Sequence, residues 1–313
     1  MLRRCDNGRH QLTFCAANFS LGLTRRISDG MNTPNVLVAL QASGKCSRVW
    51  NIANEIAEFR RAQLHVIKLT RRNPSTTTKA HTAKLHAEPH ANQPAWPDAV
   101  ADRTAAVAVN EALEPIVNRA KAINAELVIV GAKRRRGLHR LFRSTPHRVC
   151  DSIPCPMLAV RSHGSADGYR RISIAMDPSH SPMNLTKTAL RFAKLAIKTK
   201  VVVVTPPPLR TVPNLESLSG LDWSSMEDVV RFKRQVRSEA ADALRHVGLH
   251  PKILEVRTGD AFHEIVSSAR KMRADLIILN LGKRKSQKTW LLRSTVRRLL
   301  NRMPCDVLVC RDE

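Results

Sequence analysis

The sequence predicts an α/β protein of two tandem domains, each a parallel β-sheet covered by helices on both faces. First, the chain has 313 residues, of which 43% are hydrophobic, and this is enough to bury a core in each of two domains. Second, its carboxyl half repeats its amino half. Third, continuous apolar runs alternate with amphipathic segments, a pattern typical of buried parallel strands connected by helices.

The repeat is clearest towards the end of each copy. AELVIVG (Ala125–Gly131) corresponds to ADLIILN (Ala274–Asn280), and the segment Arg143–Arg161 corresponds to the segment Arg293–Arg311. The copies are 149 residues apart in the first pair and 150 apart in the second, so the basic loop of the first copy is one residue shorter. Loops tolerate such changes in length.

In the first copy, NVLVAL (Asn35–Leu40) predicts a buried strand and QLHVIKL (Gln63–Leu69) predicts a second one. The region between them, near Cys46–Arg60, predicts a helix with one apolar face. That face consists of Val49, Ile52, Ala53, Ile56 and Ala57. The following segment, 71–103, is polar and contains prolines, so we expect the next helix to be short, displaced or frayed.

The second copy is more regular. Its predicted strands are Arg171–Met176, Val201–Thr205, Ile253–Thr258, LIIL at 276–279 and Asp306–Cys310. Its predicted helices are one with Leu185, Ala189, Phe192, Ala193 and Ala196 facing inward, one near Ser225–His246, one over Ala261–Arg273 and one before the final strand. SHGSADGY (Ser162–Tyr169) has the small, polar composition of a linker. We therefore expect domains at 32–162 and 170–313, joined by a linker at 163–169.

Residues 1–31 precede the first predicted strand, and we expect them to form a disordered extension. Five arginines and two aspartates surround the mildly apolar stretch LTFCAANFSLGL, which resembles a targeting segment. However, Asn18 and Ser20 interrupt that stretch and no small-residue cleavage site follows. An alternative interpretation is a start codon placed too early, because Met31 stands just before the first strand.

The chain carries 52 basic and 26 acidic residues, a formal charge of +26 that favours polyanionic partners. Nucleic acid is one candidate, but only 4% of the residues are aromatic. Phe142 and Trp290 are the aromatic residues of the two basic loops, which is poor support for a platform on which bases stack. The sequence also lacks zinc-finger spacing and an RNA-binding sheet signature, so nucleic-acid binding is expected to be nonspecific.

Other classes of protein fit the sequence poorly. No apolar run reaches the length of a membrane-spanning helix. Seven scattered cysteines, several within apolar runs, favour reduced thiols in a cytoplasm. His81, His86 and His90 do not share a helical ligand face, so a surface loop is favoured over a metal site. We expect no enzyme, since no GxSxG elbow, nucleophile pair or carboxylate pair is present, and Asp260 near His263 is more simply a helix cap.

Parallel sheets bind ligands at the carboxyl ends of their strands, beside the point where the strand order reverses. This rule selects Asp177, Thr205 and Asn280 in the second copy, and Gln41, Thr70 and Gly131 in the first. Ser144 and Ser294 stand where the last helix of each copy is expected to begin. Each could expose backbone amides to an anion, but serine is a favoured N-cap and ordinary capping is the preferred interpretation of both.

The order of elements, together with ADLIIL, TGD at Thr258–Asp260 and the Ser-then-Pro-Cys ending, resembles the universal stress protein family. The resemblance covers about residues 32–313 as a tandem pair. It implies two Rossmann-like domains, each with a doubly wound, five-stranded parallel sheet, as well as dimer-like pairing through the final strands and a cytoplasmic role in stress survival. The family's ATP-binding branch carries an aspartate after the first strand and a loop of Gly, two residues, Gly, nine residues, Gly and Ser or Thr.

This sequence departs from that loop in both copies. In the second copy, Asp177 and Ser294 match, but Asn280, Lys283 and Arg293 stand where the family has glycines. In the first copy, Gly131 and Ser144 match, but Arg143 replaces the last glycine and Gln41 replaces the acid. Glycines let the backbone approach phosphate, so side chains there obstruct the backbone cradle. The guanidinium groups of Arg143 and Arg293 could hold phosphate instead.

The sequence thus predicts a cytoplasmic binding or scaffolding protein with degenerate nucleotide sites. We expect no obligatory cofactor and at most weak binding of ATP, or of another anionic ligand, in the second domain. The alternative is nonspecific binding of RNA or DNA through the two basic loops. The final strands are expected to pair within the molecule as a pseudo-dimer, or between two chains as a homodimer.

Overall fold

The computed structural model of the chain gives the fold of most of the region after residue 32. The residues that it describes are 33–41, 47–70, 104–108, 113–132, 145–164, 168–176, 185, 188–189, 191–192, 196–205, 226–246, 248–250, 253–281 and 290–311. The expected extension at 1–31 and the histidines of segment 71–103 lie outside these residues.

The described residues form ten strands and six helices with continuous bounds. The strands are β1 Asn35–Gln41, β2 Gln63–Thr70, β3 Thr104–Ala108, β4 Ala125–Ala132, β5 Met157–Arg161, β6 Arg171–Met176, β7 Lys198–Thr205, β8 Ile253–Thr258, β9 Leu276–Asn280 and β10 Asp306–Cys310. The helices are α1 Ser47–Arg60, α2 Leu113–Ala122, α3 Thr145–Ser152, α4 Met226–His246, α5 Ala261–Met272 and α6 Trp290–Arg302.

All ten strands belong to one sheet, in the order β3-β2-β1-β4-β5-β10-β9-β6-β7-β8. Within each half of the sheet, every neighbouring pair is parallel. The halves meet where β5 and β10 pair antiparallel, with Leu158 opposite Leu308. This confirms the two Rossmann-like repeats and the pairing of their final strands within the molecule.

Helices cover both faces of the sheet and bury two continuous cores. One core contains apolar side chains of α2, α3, α5 and α6, and the other contains those of α1, α4 and the helical residues Leu185, Ala189 and Phe192. Each core draws on strands from both halves. The apolar strands in the middle of the sheet are buried on both faces, as their continuous hydrophobic sequences predict.

The first copy contains two elements that its sequence did not reveal, β3 and α2. Both follow the polar segment 71–103. TAAVA at Thr104–Ala108 is short and weakly apolar, so its pattern does not distinguish a strand from a loop. It nevertheless pairs with β2 along its whole length, which completes a five-stranded half.

A buried ionic network joins the two halves beside the β5–β10 junction. The carboxylate of Asp306, fully buried, accepts hydrogen bonds from Arg48 at 3.1 and 2.7 Å, from the Arg161 backbone amide at 2.9 Å and from the Tyr169 hydroxyl at 3.0 Å. Arg48 also donates to the carbonyl of Arg161 at 2.8 Å. Burial and the charge of Asp306 raise the pKa of Tyr169 well above its ordinary value, so the phenol remains a donor.

Candidate functional site

The point at which strand order reverses in the second half lies between β6 and β9. β6 pairs with β7 on one side and with β9 on the other. The helical residues that follow β6 pack into one core, while α6, which follows β9, packs into the other. Because the connections leave on opposite faces, the carboxyl ends of β6 and β9 are where doubly wound folds form their ligand crevice.

The structure places two of the predicted site residues at this edge. Asn280 ends β9 and Thr205 ends β7, and their exposures are 6% and 2%. The strand β6 lies between them, so their strands are about 10 Å apart. Asp177 directly follows Met176, the last residue of β6, but lies outside the described residues.

The hydrogen bonds of Thr205 stabilise the end of the sheet next to β8. Its hydroxyl donates to the carbonyl of Arg257 at 3.3 Å, and its own carbonyl accepts from the amide of Gly259 at 3.1 Å. Gly259 has a φ of +147°, a conformation that side chains rarely adopt. The middle residue of the TGD motif therefore makes the turn between β8 and α5, which accounts for the motif in structural terms.

The start of α5 confirms that Asp260 is a helix cap. Its side chain accepts a hydrogen bond from the backbone amide of His263 at 2.9 Å, and Arg298 donates to it at 3.1 and 2.7 Å. Partial burial would raise the pKa of Asp260, but the bonds from Arg298 and the His263 amide outweigh it and the pKa is lowered. A carboxylate held in this way is unsuited to accept a proton from a substrate.

In the first half, the equivalent edge is formed by β1 and β4, which end at Gln41 and Ala132. Gly131 is exposed there and does not have a positive φ. A β-carbon on it would lie 3.5 Å from Val49 Cγ2, an ordinary contact. Neither conformation nor packing therefore requires glycine at this position.

The prediction that the last helix begins at Ser294 is wrong. Helix α6 begins at Trp290, so Ser294 is its fifth residue and cannot be the N-cap. Leu291 and Leu292 favour helix, and they extend it by one turn upstream of the serine. The first four backbone amides of a helix have no partner within the helix and could bind an anion. The amide of Ser294 is not one of these four.

The remaining predicted site residues are only partly described. Arg293 lies in α6, with its side chain outside the described portion, as is the case for Gln41 at the end of β1. Lys283, Arg143 and Ser144 lie outside the described residues. Helix α3 begins at Thr145, directly after Ser144. Thr70 ends β2, where it pairs with Ala108 of β3.

The described residues offer neither a metal site nor a membrane-spanning helix. Among the described residues, no group of three or more His, Cys, Asp and Glu side chains is arranged to hold a metal ion. The helices of the described region include none long and apolar enough to cross a membrane.

The fold and its repeated switch points define a tandem pair of Rossmann-like α/β domains of the kind that binds nucleotides in other proteins. Residues 32–161 and 168–311 each match the model of the universal stress protein family. The chain therefore belongs to the universal stress protein family, in a tandem form. Comparison with curated proteins yields no match.

Solved structures share this architecture. A putative universal stress protein from Pseudomonas aeruginosa UCBPP-PA14 is similar with a TM-score of 0.62 and 16% identity, over 89% of this chain and 93% of that one. A functionally unknown protein from P. aeruginosa PAO1 gives 0.61 and 17%, over 89% and 92%. A universal stress protein from Archaeoglobus fulgidus DSM 4304 gives 0.50 and 15%, over 88% and 96%. At these identities the similarity concerns the fold.

Proposed function

We propose that this chain is a cytoplasmic binding or scaffolding protein of the stress response that performs no catalysis. Its second half binds ATP weakly at the carboxyl edge of β6 and β9, and its first half does not. The observation that supports this proposal is the switch point between β6 and β9, where the buried Asn280 ends one strand and Asp177 directly follows the other.

Weak binding follows from the side chains of the loop. Asn280, Lys283 and Arg293 stand where the family has glycines, and we expect side chains at these positions to keep backbone amides away from phosphate oxygens. Their amide, ammonium and guanidinium groups offer hydrogen bonds and positive charge instead. Flexible side chains lose conformational entropy on binding, which a preformed backbone cradle does not. Gln41 in the first half lacks the negative charge of Asp177.

Calorimetric titration with MgATP, together with mass analysis of small molecules released from the denatured protein, tests this proposal. We expect no stoichiometric nucleotide after purification and a dissociation constant of the order of 0.1–1 mM. Asp177→Ala is expected to weaken binding about tenfold, whereas the matched Gln41→Ala leaves it unchanged. Co-purified stoichiometric ATP, or equal effects of the two substitutions, would contradict a degenerate site confined to the second half.

A second candidate function, nonspecific binding of RNA or DNA, is favoured by the charge of +26 and by the two basic loops. Titration of a duplex at rising salt is expected to show a steep loss of affinity. Replacing residues 134–136 and 283–285 with alanine removes six cations and reduces the salt slope by several units. Binding that is absent, or independent of salt, would exclude this candidate.

A further inference from the structure

A cationic groove lies against α5 and the carboxyl terminus of α6, and its described lining includes no residue at the carboxyl ends of β6 and β9. Its volume is about 580 Å³, within the range of small-molecule sites. One wall is a face of α5, one end is the carboxyl terminus of α6, and Arg161 of β5 contributes from the junction. We refer to it as the α5–α6 groove. Its lining includes His263, Val266, Arg270, Lys271, Arg302 and Met303.

The charge of the α5–α6 groove is unbalanced. Arg161, Arg270, Lys271 and Arg302 line it, and no carboxylate from the described part of the chain does. Arg161 lies near Asp306, but Arg270, Lys271 and Arg302 have no ion-pair partner among the described residues. The carboxyl termini of α5 and α6 each contribute about −0.5 of a charge, which is too little to neutralise the cations.

Two of the four cations, Arg161 and Arg302, are also held in place. The Phe262 ring lies beneath the groove with an exposure of 2%, and the guanidinium carbon of Arg302 is 5.3 Å from its centroid. Arg298 stacks on the same ring at 4.3 Å while binding Asp260. The Nη1 of Arg161 donates to the Pro304 carbonyl at 3.0 Å. Arg161 and Arg302 are therefore preorganised, which lowers the entropy lost when an anion binds.

The corresponding surface of the first half has fewer cations, since only Lys121 and Arg311, the counterparts of Arg270 and Arg161, are basic there. By the repeat, Arg270, Lys271, Arg302 and His263 correspond to Lys121, Ala122, Ser152 and Glu114. Two of the cations are replaced by uncharged residues, and an acid replaces the histidine. Because both halves share the fold, the fold alone does not impose the cations. The higher density of cations is specific to the second half.

We propose that the α5–α6 groove is a binding site for the polyphosphate moiety of a small molecule. Residues 263–271 span about 12 Å along α5, which suits an extended chain of phosphates better than a single one. Arginine forks and a lysine ammonium are the groups that proteins use for phosphate oxygens. The apolar base formed by Val266 and Met303 excludes water beneath the anion and strengthens its attraction to the cations.

Titration calorimetry with sodium tripolyphosphate at about 150 mM salt tests the site, because weak surface attraction is screened under these conditions. We expect one site per chain. The variant Arg270→Gln with Lys271→Gln is expected to bind at least about tenfold more weakly. The control Arg234→Gln with Arg237→Gln removes two exposed cations from α4, and its affinity should change less than twofold. Both pairs lie on exposed helix surface, so thermal unfolding without ligand should match wild type.

Two further experiments distinguish this site from the crevice and identify which class of polyphosphate it binds. Asp177→Ala should leave tripolyphosphate binding unchanged, because the two sites are distinct. If MgATP displaces tripolyphosphate, the groove takes nucleoside polyphosphates. If it does not, the groove takes free polyphosphate. Absence of saturable tripolyphosphate binding, or an equal loss in the α4 control, would overturn the proposal.

Discussion

At the scale of single residues, Asp306 has the largest structural role. It is fully buried and accepts hydrogen bonds from the Arg48 guanidinium, the Arg161 backbone amide and the Tyr169 hydroxyl. We expect Asp306→Asn to lower the free energy of unfolding by about 3–5 kcal/mol, because it leaves the Arg48 guanidinium buried without a countercharge. Chemical denaturation measures this loss.

The control for this prediction is Asp242→Asn on α4. That aspartate pairs with Arg245, but both side chains are more than half exposed. Its loss should cost less than about 0.5 kcal/mol. Similar effects of the two substitutions would mean that water reaches the Asp306 network and screens it.

Glu255 on the edge strand β8 gives a pH dependence. Burial would raise its pKa, but hydrogen bonds from Arg257 and Lys200 lower it from 4.5 to about 2. Since the pKa is lower in the folded state, the stabilisation is complete above about pH 4.5 and is lost as pH falls towards 2. Glu255→Gln is expected to cost about 1–2 kcal/mol at pH 7, a modest value because the side chain is 31% exposed.

Urea denaturation of wild type and Glu255→Gln between pH 2 and 7 measures this difference. The gap between the two stabilities should be constant near neutrality and should close in acid. Glu239→Gln, at an exposed position of α4, serves as the control and should change stability little at any pH. A gap that persists at pH 2 would show that the ion pairs do not cause it.

At the scale of elements, several helices end on residues that are not ideal for their conformation. Arg273, after α5, has a φ of 52° and its amide donates to the carbonyls of Ala269 and Arg270. This left-handed position favours glycine. We expect Arg273→Gly to raise the free energy of unfolding by about 0.5–1 kcal/mol. The comparison Arg270→Gly, inside the same helix, should lower it by about 1 kcal/mol. Destabilisation by both would show that the Arg273 side chain has a packing role.

Most elements could be predicted from the sequence because the central strands are continuously apolar. RISIAM and DVLVC, within the sheet, have the bounds that their sequences predict, as does ILEVRT on the edge strand β8. The start of α6 was misplaced because serine is a strong N-cap signal, while Trp290 to Leu292 give no start signal of their own. In the candidate site, the strand topology could be predicted from the repeat. Asn280 and Thr205 lie at the carboxyl ends of their strands, as that topology predicts. The network at Asp306 was missed, although a signal existed: Asp306 stands where the first copy has Pro156.

At the scale of the whole molecule, the antiparallel junction of β5 and β10 makes one structure out of two repeats. The two cores run across the junction without interruption, and Asp306 of one half binds Arg48 of the other. Neither half can lose its final strand without exposing apolar side chains of its partner. We therefore expect the halves to unfold together in a single transition.

A substitution at the junction tests this cooperativity. Leu308 is fully buried on β10 opposite Leu158, so Leu308→Ala should lower the free energy of unfolding by about 2–5 kcal/mol. Hydrogen exchange at the β1 amides of the first half should accelerate by the same free energy as exchange at β6 of the second, because both exchange through global unfolding. The control Val230→Ala, at an exposed position of α4, should change neither. Faster exchange in β6 with unchanged exchange in β1 would mean that the repeats fold independently and that the shared sheet only docks them.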